Sequence, residues 1–124
     1  MRSHRTERLA EQIRIELSEL IGQEVRDPRV GLVNVNRVEL SPDGRHAFVF
    51  LTVLGSEDEE RQSLKGIRHA GPFLRHSLAE ALSLHHMPEL HFEPDRASSA
   101  QERVEELLRR VKKKDEARGA RHEE

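Results

Sequence analysis

The sequence contains no cysteine, tryptophan or tyrosine, and four phenylalanines are its only Phe, Trp or Tyr residues. Without cysteine the chain cannot form a disulfide framework, a zinc ribbon or a thiol nucleophile, which suits a reducing compartment. No apolar run approaches the roughly 18–20 residues that a membrane span needs, and the first residues, 1–5, lead into no signal-peptide core. We therefore expect a cytoplasmic protein that makes no membrane contact.

The length and the charge balance limit the kinds of protein that the chain can be. With 124 residues it supports one compact domain with a modest core, and it is too short for most cofactor-bearing α/β architectures. Its 21 basic and 23 acidic residues give a net charge of −2, which argues against a general nucleic-acid coat. The charges are nevertheless segregated, because the acidic run 57–60 precedes a stretch, 61–79, with basic residues and no acidic ones.

Hydrophobic spacing and turn signals in the first half of the chain predict a helix followed by a β-hairpin. Apolar residues recur at intervals of three and four over about 4–24, which is typical of an amphipathic helix. The alternation over 32–40 predicts a strand, and its change of phase near Asn36-Arg37 predicts a bulge. A type I turn at 41–44 then leads into an apolar strand over 47–54.

The second half of the chain reads as two adjoining helices, a strand and a last helix. Ser56 and Glu59 have the spacing of a capping box at a helix start. Gly71-Pro72 interrupts that helix and begins another, because proline fits the first turn of a helix. Alternation over 89–93 predicts a strand, and helically spaced apolar residues as far as Val111 predict the final helix.

The resulting fold class is α+β, with the element order α-β-β-α-kink-α-β-α. We expect the helices to cover one face of a three-stranded sheet and to leave the other face or an edge available. A single domain would occupy 1–111, and the charged segment 112–124 would be a disordered tail. The phenylalanines have apolar neighbours and are expected in the core: Phe48, Phe50, Phe73 and Phe92.

Signatures of enzymes and cofactor sites are weak in this sequence. Gly66 and Gly71 form neither a P-loop nor a dinucleotide fingerprint, and no serine lies in a nucleophile elbow. The best candidates for metal ligation are two neighbouring histidines and three side chains of the predicted last strand: His85, His86, Glu89, His91 and Glu93. A solvated strand face explains these residues as well, because typical ligand spacings are absent. We therefore predict a protein that is not an enzyme and has no metal or cofactor.

The basic stretch across the kink is the most informative feature, and it has two interpretations. Acidic residues at a helix start and Arg68 at its end complement the helix dipole without any partner. Arg75 fits that account less well, because it lies in the first turn of the next helix, where positive charge is mildly unfavourable. A small-residue break also lets a phosphate backbone approach helix N–H groups. Without tyrosine or tryptophan, contacts would be mainly to phosphates and RNA shape.

Several short motifs follow one another in a characteristic order and spacing. They are Asp27-Pro28-Arg29, Val33-x-Val35-x-x-Val38-x-Leu40-Ser41-x-Asp43, Ala47-x-Val49, Ala70-Gly71-Pro72-Phe73-Leu74-Arg75 and Pro88-Glu89-Leu90-x-Phe92-x-x-Asp95. Together they resemble the ribosome-binding factor A family over roughly residues 5–111. The resemblance implies a KH-like fold of the second topological type, in which a kink written Ala-x-Gly replaces the Gly-x-x-Gly loop. This chain has Ala70-Gly71-Pro72, with proline where glycine is commoner.

The same resemblance implies a non-enzymatic assembly factor of the small ribosomal subunit. Such a protein binds free or immature 30S subunits through 16S rRNA, assists late maturation and 5′-end processing of that RNA, and leaves before translation. The family is also associated with growth in the cold. We expect a cytoplasmic monomer, and the alternatives are a general KH-like RNA-binding module, a protein–protein adaptor that uses a sheet edge and, less favoured, a small metal enzyme.

The residues predicted to bind RNA flank the kink or lie on nearby elements. They are Arg5, Arg8, Arg29, Arg37, Arg45, Lys65, Arg68, Ala70, Gly71, Pro72 and Arg75. For Arg5 and Arg8 the alternative is an ordinary solvated helix face. For Arg29 it is a local ion pair with Asp27, a kind of interaction that contributes roughly 0–1 kcal/mol when exposed.

Overall fold

The order of helices and strands in the protein is the one predicted. The structure, a computed structural model, describes residues 4–96 and 100–122, with side chains at 5–96 and 102–116. Its elements are α1 (His4–Gln23), β1 (Val33–Leu40), β2 (His46–Val53), α2 (Glu57–His69), α3 (Gly71–Leu82), β3 (Glu89–Pro94) and α4 (Ala100–His122). Within these ranges, none of the helices has the length and apolar character to cross a membrane. The α+β class is confirmed.

The three strands form one sheet in the order β1-β2-β3. β1 and β2 are antiparallel and joined by a tight turn, in which the Gly44 N–H donates to the Ser41 carbonyl at 2.9 Å. Gly44 has φ 72, a value that glycine adopts without steric cost. The register shifts between Val35 and Arg37, which confirms the bulge. β3 pairs with β2 in parallel, and a parallel pair needs a long crossover, here α2 and α3.

One face of the sheet packs against the first three helices. Ile13 of α1 and Ile67 of α2 are fully buried there, together with Leu74 and Leu78 of α3. The prediction that Phe73 is also core is wrong, because its surface is 46% exposed. Successive helical residues are rotated by about 100°, so when α3 turns Leu74 and Leu78 inward, Phe73 faces the surface.

The other face of the sheet is covered by α4. Phe48 and Phe50 of β2 are fully buried in a second core with Val104 and Leu107 of α4. Since strand side chains alternate between faces, neighbouring β2 residues such as Val49 enter the first core. The expectation of an open second face is therefore wrong, and the outer edges of the sheet belong to β1 and β3.

α4 extends beyond its last apolar contact. It continues to His122, through most of the segment 112–124 in which composition predicted disorder. Its Lys, Glu, Ala and Arg residues favour helix intrinsically, so a helix packed near Leu107 can continue without further burial. The side chains at 112–116 are all exposed. The boundary between a domain at 1–111 and a separate tail stays a prediction.

The loop between α1 and β1 is fixed against α2. A Cβ added at Gly66 of α2 would lie 2.6 Å from Val30 Cγ2, so only glycine allows this approach. Ser63 Oγ accepts the Gly31 N–H at 3.0 Å, which holds the loop to the same helix. At the start of α2, Ser56 forms the predicted capping box. The predicted site residue in this loop is thus on a supported segment.

We predict that Leu107→Ala lowers the free energy of unfolding by about 2–5 kcal/mol, because it leaves a cavity between α4 and the sheet. Ending the chain after Val111 should change that free energy by less than about 1 kcal/mol, since it removes only exposed side chains. Urea unfolding followed by circular dichroism measures both. The interpretation of α4 as a cover for the second face would be contradicted by a small effect of Leu107→Ala.

Candidate nucleic-acid interface

α2 and α3 meet at a single residue, which forms the predicted kink. Ala70 has φ −79 and ψ −2 and is both the C-cap of α2 and the N-cap of α3. Its N–H donates to the Gly66 carbonyl at 3.1 Å, and its own carbonyl accepts from the Leu74 N–H at 2.9 Å. Pro72 lies in the first turn of α3, where its fixed φ fits and its missing N–H breaks no helical bond.

The surface of the kink is open at the backbone. A Cβ added at Gly71 would meet only Phe92 Cε2, at 3.9 Å, so packing does not require glycine at this position. No side chain caps the start of α3, which leaves first-turn amides for water or an external acceptor. Pro72 supplies no amide of its own. Close approach of another backbone is therefore possible here, with one donor fewer than in a kink without proline.

The two arginines that flank the kink hold it to β3. Arg68 donates through Nε and Nη2 to the Phe92 carbonyl, at 3.1 and 2.7 Å. Arg75 donates to the carbonyls of Met87 at 2.7 Å and Pro88 at 3.3 Å. A guanidinium has five N–H donors, and the Arg68 side chain is 50% exposed, so donor capacity remains on the solvent side. Sequence spacing gave no signal for these carbonyl partners.

These arginines border an open groove of about 890 Å³ between α3, β3 and the end of α4. We call it the kink groove, and the predicted site residues on its border are Arg68, Gly71, Pro72 and Arg75. Lys114 of α4 adds a cation. Glu89 and Glu93 also border the groove, and Glu93 Oε2 lies 3.7 Å from Arg68 Nη2, which partly neutralises its positive charge.

A second hollow adjoins the kink groove and shares Arg75 with it. Arg45, from the turn between β1 and β2, and Lys112 of α4 also border this hollow. The structure thus brings together three predicted site residues, Arg45, Arg68 and Arg75, with two lysines that sequence analysis had placed in the tail. Their signal was the run 112–114, which the acidic residues Asp115 and Glu116 offset in composition.

The remaining predicted residues do not border this pair of depressions. Lys65 is exposed on α2, one turn before Arg68. Arg5 and Arg8 are exposed near the start of α1. Arg37 is half-buried on the α4 side of β1, where its guanidinium lies 4.4 Å from the Phe50 ring centroid and 3.4 Å from an Asp95 oxygen. These contacts make Arg37 part of the packing under α4.

Arg29 forms the local ion pair that the alternative interpretation predicted. Its Nε donates to Asp27 Oδ1 at 3.0 Å and its Nη2 donates to Oδ2 at 2.6 Å. The Arg29 backbone N–H also donates to Oδ1, at 2.9 Å. The side-chain bonds first, and then the backbone bond, lower the pKa of Asp27 to about 2. The Arg29 charge is therefore balanced within the loop.

A pair of histidines lies next to the hollow, on the α4 side of the sheet. His46 Nδ1 of β2 and His91 Nε2 of β3 are 3.0 Å apart, and burial lowers the pKa of His91. Of the metal candidates considered from the sequence, Glu89 and His91 join this pair, whereas Glu93 pairs with Arg103 at 3.4 Å. His46 was missed because it lies 45 residues from His91 in the chain.

Comparisons with known proteins agree with the motifs. The sequence profile of the ribosome-binding factor A family matches residues 5–108. Ribosome-binding factor A of Thermomicrobium roseum is 46% identical over 111 residues, which are 90% of this chain and 86% of that protein. The crystal structure of ribosome-binding factor A from Thermus thermophilus has a TM-score of 0.67 at 32% identity, covering 76% of this chain and 99% of that one.

A further likeness is to a Thermus thermophilus ribosome-binding factor A whose homology model was fitted into the cryo-EM map of a 30S complex. Its TM-score is 0.62 at 33% identity, and the match covers 76% of this chain and 99% of that one. The likeness therefore extends over nearly the whole of a protein placed on a ribosomal particle.

We predict that Arg29→Gln raises the pKa of Asp27 from about 2 towards the ordinary value of about 3.9. Because the pKa is depressed in the folded state, the pair stabilises the fold above the unfolded pKa, and this stabilisation is lost as pH falls towards 2. Carboxyl ¹³C NMR titration measures the midpoint. Arg26→Gln is the matched control and should leave it unchanged; an unaltered midpoint in Arg29→Gln would show that another group depresses the pKa.

Proposed function

The chain belongs to the ribosome-binding factor A family, and from this premise we propose that it binds free and immature 30S ribosomal subunits through 16S rRNA. It assists late maturation and 5′-end processing of that RNA by binding rather than by catalysis, and it leaves before translation. It acts in the cytoplasm as a monomer and supports growth in the cold. The observation that carries the proposal is the match over 5–108, and the likeness to a protein fitted into a 30S complex supports it.

The side chains at the kink favour contacts to the RNA backbone over stacking on bases. Phe48, Phe50 and Phe92 are buried, and Phe73 is the one phenylalanine with substantial exposure. Recognition of single-stranded bases usually needs several aromatic faces. Phosphate contacts and the shape of folded rRNA are therefore the main determinants in this proposal, and Phe73 is available for one stacking contact beside the kink.

We assign the rRNA surface to the kink and its two adjoining depressions. The residues that form it are Arg45, Lys65, Arg68, Ala70, Gly71, Pro72 and Arg75, with Lys112 and Lys114. Arg68 and Arg75 hold the shape of the kink groove and offer their remaining donors to phosphates. Arg5, Arg8 and Arg29 add peripheral contacts from α1 and its loop, and Arg37 acts through packing.

Lys65 and Arg45 allow the clearest test, because the described residues form no ion pair with either side chain. We predict that Lys65→Gln with Arg45→Gln weakens binding to 30S subunits and lowers the slope of log K against log salt by about 0.7–0.9 for each contact. Cosedimentation with purified subunits across a salt series measures this slope. Arg68 and Arg75 are less suitable, because their removal also leaves backbone carbonyls of β3 without donors.

The matched control is Arg61→Gln, one helical turn before Lys65. Arg61 pairs with Asp58, so its loss should leave the slope unchanged. Free RNA and mature ribosomes are sedimented in parallel. Equal binding to every RNA would indicate a general RNA-binding module, and salt-independent binding to subunits would indicate a protein adaptor; either result contradicts the proposal.

We also predict that Gly71→Ala weakens 30S binding by about tenfold, equivalent to about 1.4 kcal/mol, without lowering the melting temperature. The added Cβ meets only Phe92 at 3.9 Å, and alanine favours helix over glycine, so folding is not impaired. The methyl group would nevertheless stand between the kink and an approaching phosphate backbone. Unchanged affinity in a stably folded variant would mean that the rRNA does not approach Gly71.

A further inference from the structure

Three side chains with metal-binding atoms converge where β2 and β3 begin. Parallel pairing places His46 opposite Glu89 and Phe48 opposite His91. Because alternate strand residues share a face, the side chains of His46, Glu89 and His91 all point to the α4 side. Two imidazoles and a carboxylate are thus brought together by the register of the sheet, independently of local sequence spacing.

The distances among these atoms suit a small metal ion. His46 Nδ1 is 3.0 Å from His91 Nε2 and 3.8 Å from Glu89 Oε2, and one ligand atom from each residue lies within 4.8 Å of the others. Zinc binds histidine nitrogen and carboxylate oxygen at about 2.0–2.2 Å, so tetrahedral ligand atoms are about 3.3–3.6 Å apart. Shifts of a few tenths of an ångström would bring the two printed separations into this range.

The surroundings hold the ligands in place and leave a route for an ion. The buried Phe48 ring stacks on both imidazoles, with centroid distances of 5.1 Å to His91 and 6.4 Å to His46. The His46 side chain is only 14% exposed, whereas Glu89 is 53% exposed and opens to solvent. Asp115 of α4 borders the same hollows as these residues.

We propose that His46, Glu89 and His91 form a binding site for a divalent zinc-class ion, with Asp115 or water completing the coordination. Mixed imidazole and carboxylate ligands favour zinc over magnesium and calcium, which prefer oxygen alone. The ion cross-links β2 and β3 beside Arg45 and Arg75 and so stiffens this end of the sheet. The site does not depend on the proposed function, since its ligands lie outside the residues assigned to phosphates.

The test uses the full-length, tag-free chain after treatment with a chelator. Co²⁺ replaces Zn²⁺ as a spectroscopic probe, because four-coordinate Co²⁺ absorbs strongly in the visible range. We expect one equivalent of Co²⁺ to bind, Zn²⁺ to displace it, and Zn²⁺ to raise the melting temperature by binding the native state. His46→Gln, His91→Gln and Glu89→Gln should each weaken Zn²⁺ binding by at least about tenfold in calorimetric titration.

The matched control is the double variant His85→Gln with His86→Gln. These exposed histidines border the same groove and hollow but lie outside the triad, so binding should be unchanged. Glu89 is half exposed, so Glu89→Gln keeps the test decisive if a histidine variant fails to fold. Absence of binding, binding that survives Glu89→Gln unchanged, or binding lost with His85 and His86 overturns the proposal and leaves an ordinary hydrogen bond between His46 and His91.

Discussion

Burial of β2 on both faces is the constraint on which the rest of the structure depends. Val49 and its alternate neighbours enter the core under α1, α2 and α3, while Phe48 and Phe50 enter the core under α4. A strand in this position must have a neighbour on each edge to satisfy its backbone. β1 supplies one through a hairpin, and β3 supplies the other in parallel, which requires the crossover through α2 and α3. The kink is part of that crossover.

The arginines at the kink connect this framework to the proposed interface. Arg68 and Arg75 are bonded to carbonyls of β3 and of the segment that leads into it, so the position of β3 also fixes their guanidinium groups. Flexible side chains lose entropy when they bind a phosphate, and a group already held in place loses less. A structural role for these residues therefore supports a binding role, provided that some donors face solvent, as the half-exposed Arg68 side chain allows.

Local signals predicted most of the fold, and long-range contacts account for what they missed. The bulge near Arg37, the turn at 41–44 and the capping box at Ser56 each depend on a few adjacent residues. The apolar stripe of α4 predicted a helix but could not show which surface it covers. The kink was likewise predicted, whereas the carbonyl partners of Arg75 and the approach of His46 to His91 depend on strand order and register.

The charge distribution explains how a chain with a net charge of −2 can present a surface for RNA. Many acidic residues are paired with arginines inside the structure, as Asp95 is with Arg37 and Glu93 with Arg103. Such pairs contribute to net charge in equal and opposite amounts and have little field beyond their own contact. The field at the kink is then set by cations without a nearby acid, such as Lys65. Position, rather than the overall sum, determines whether phosphates are attracted.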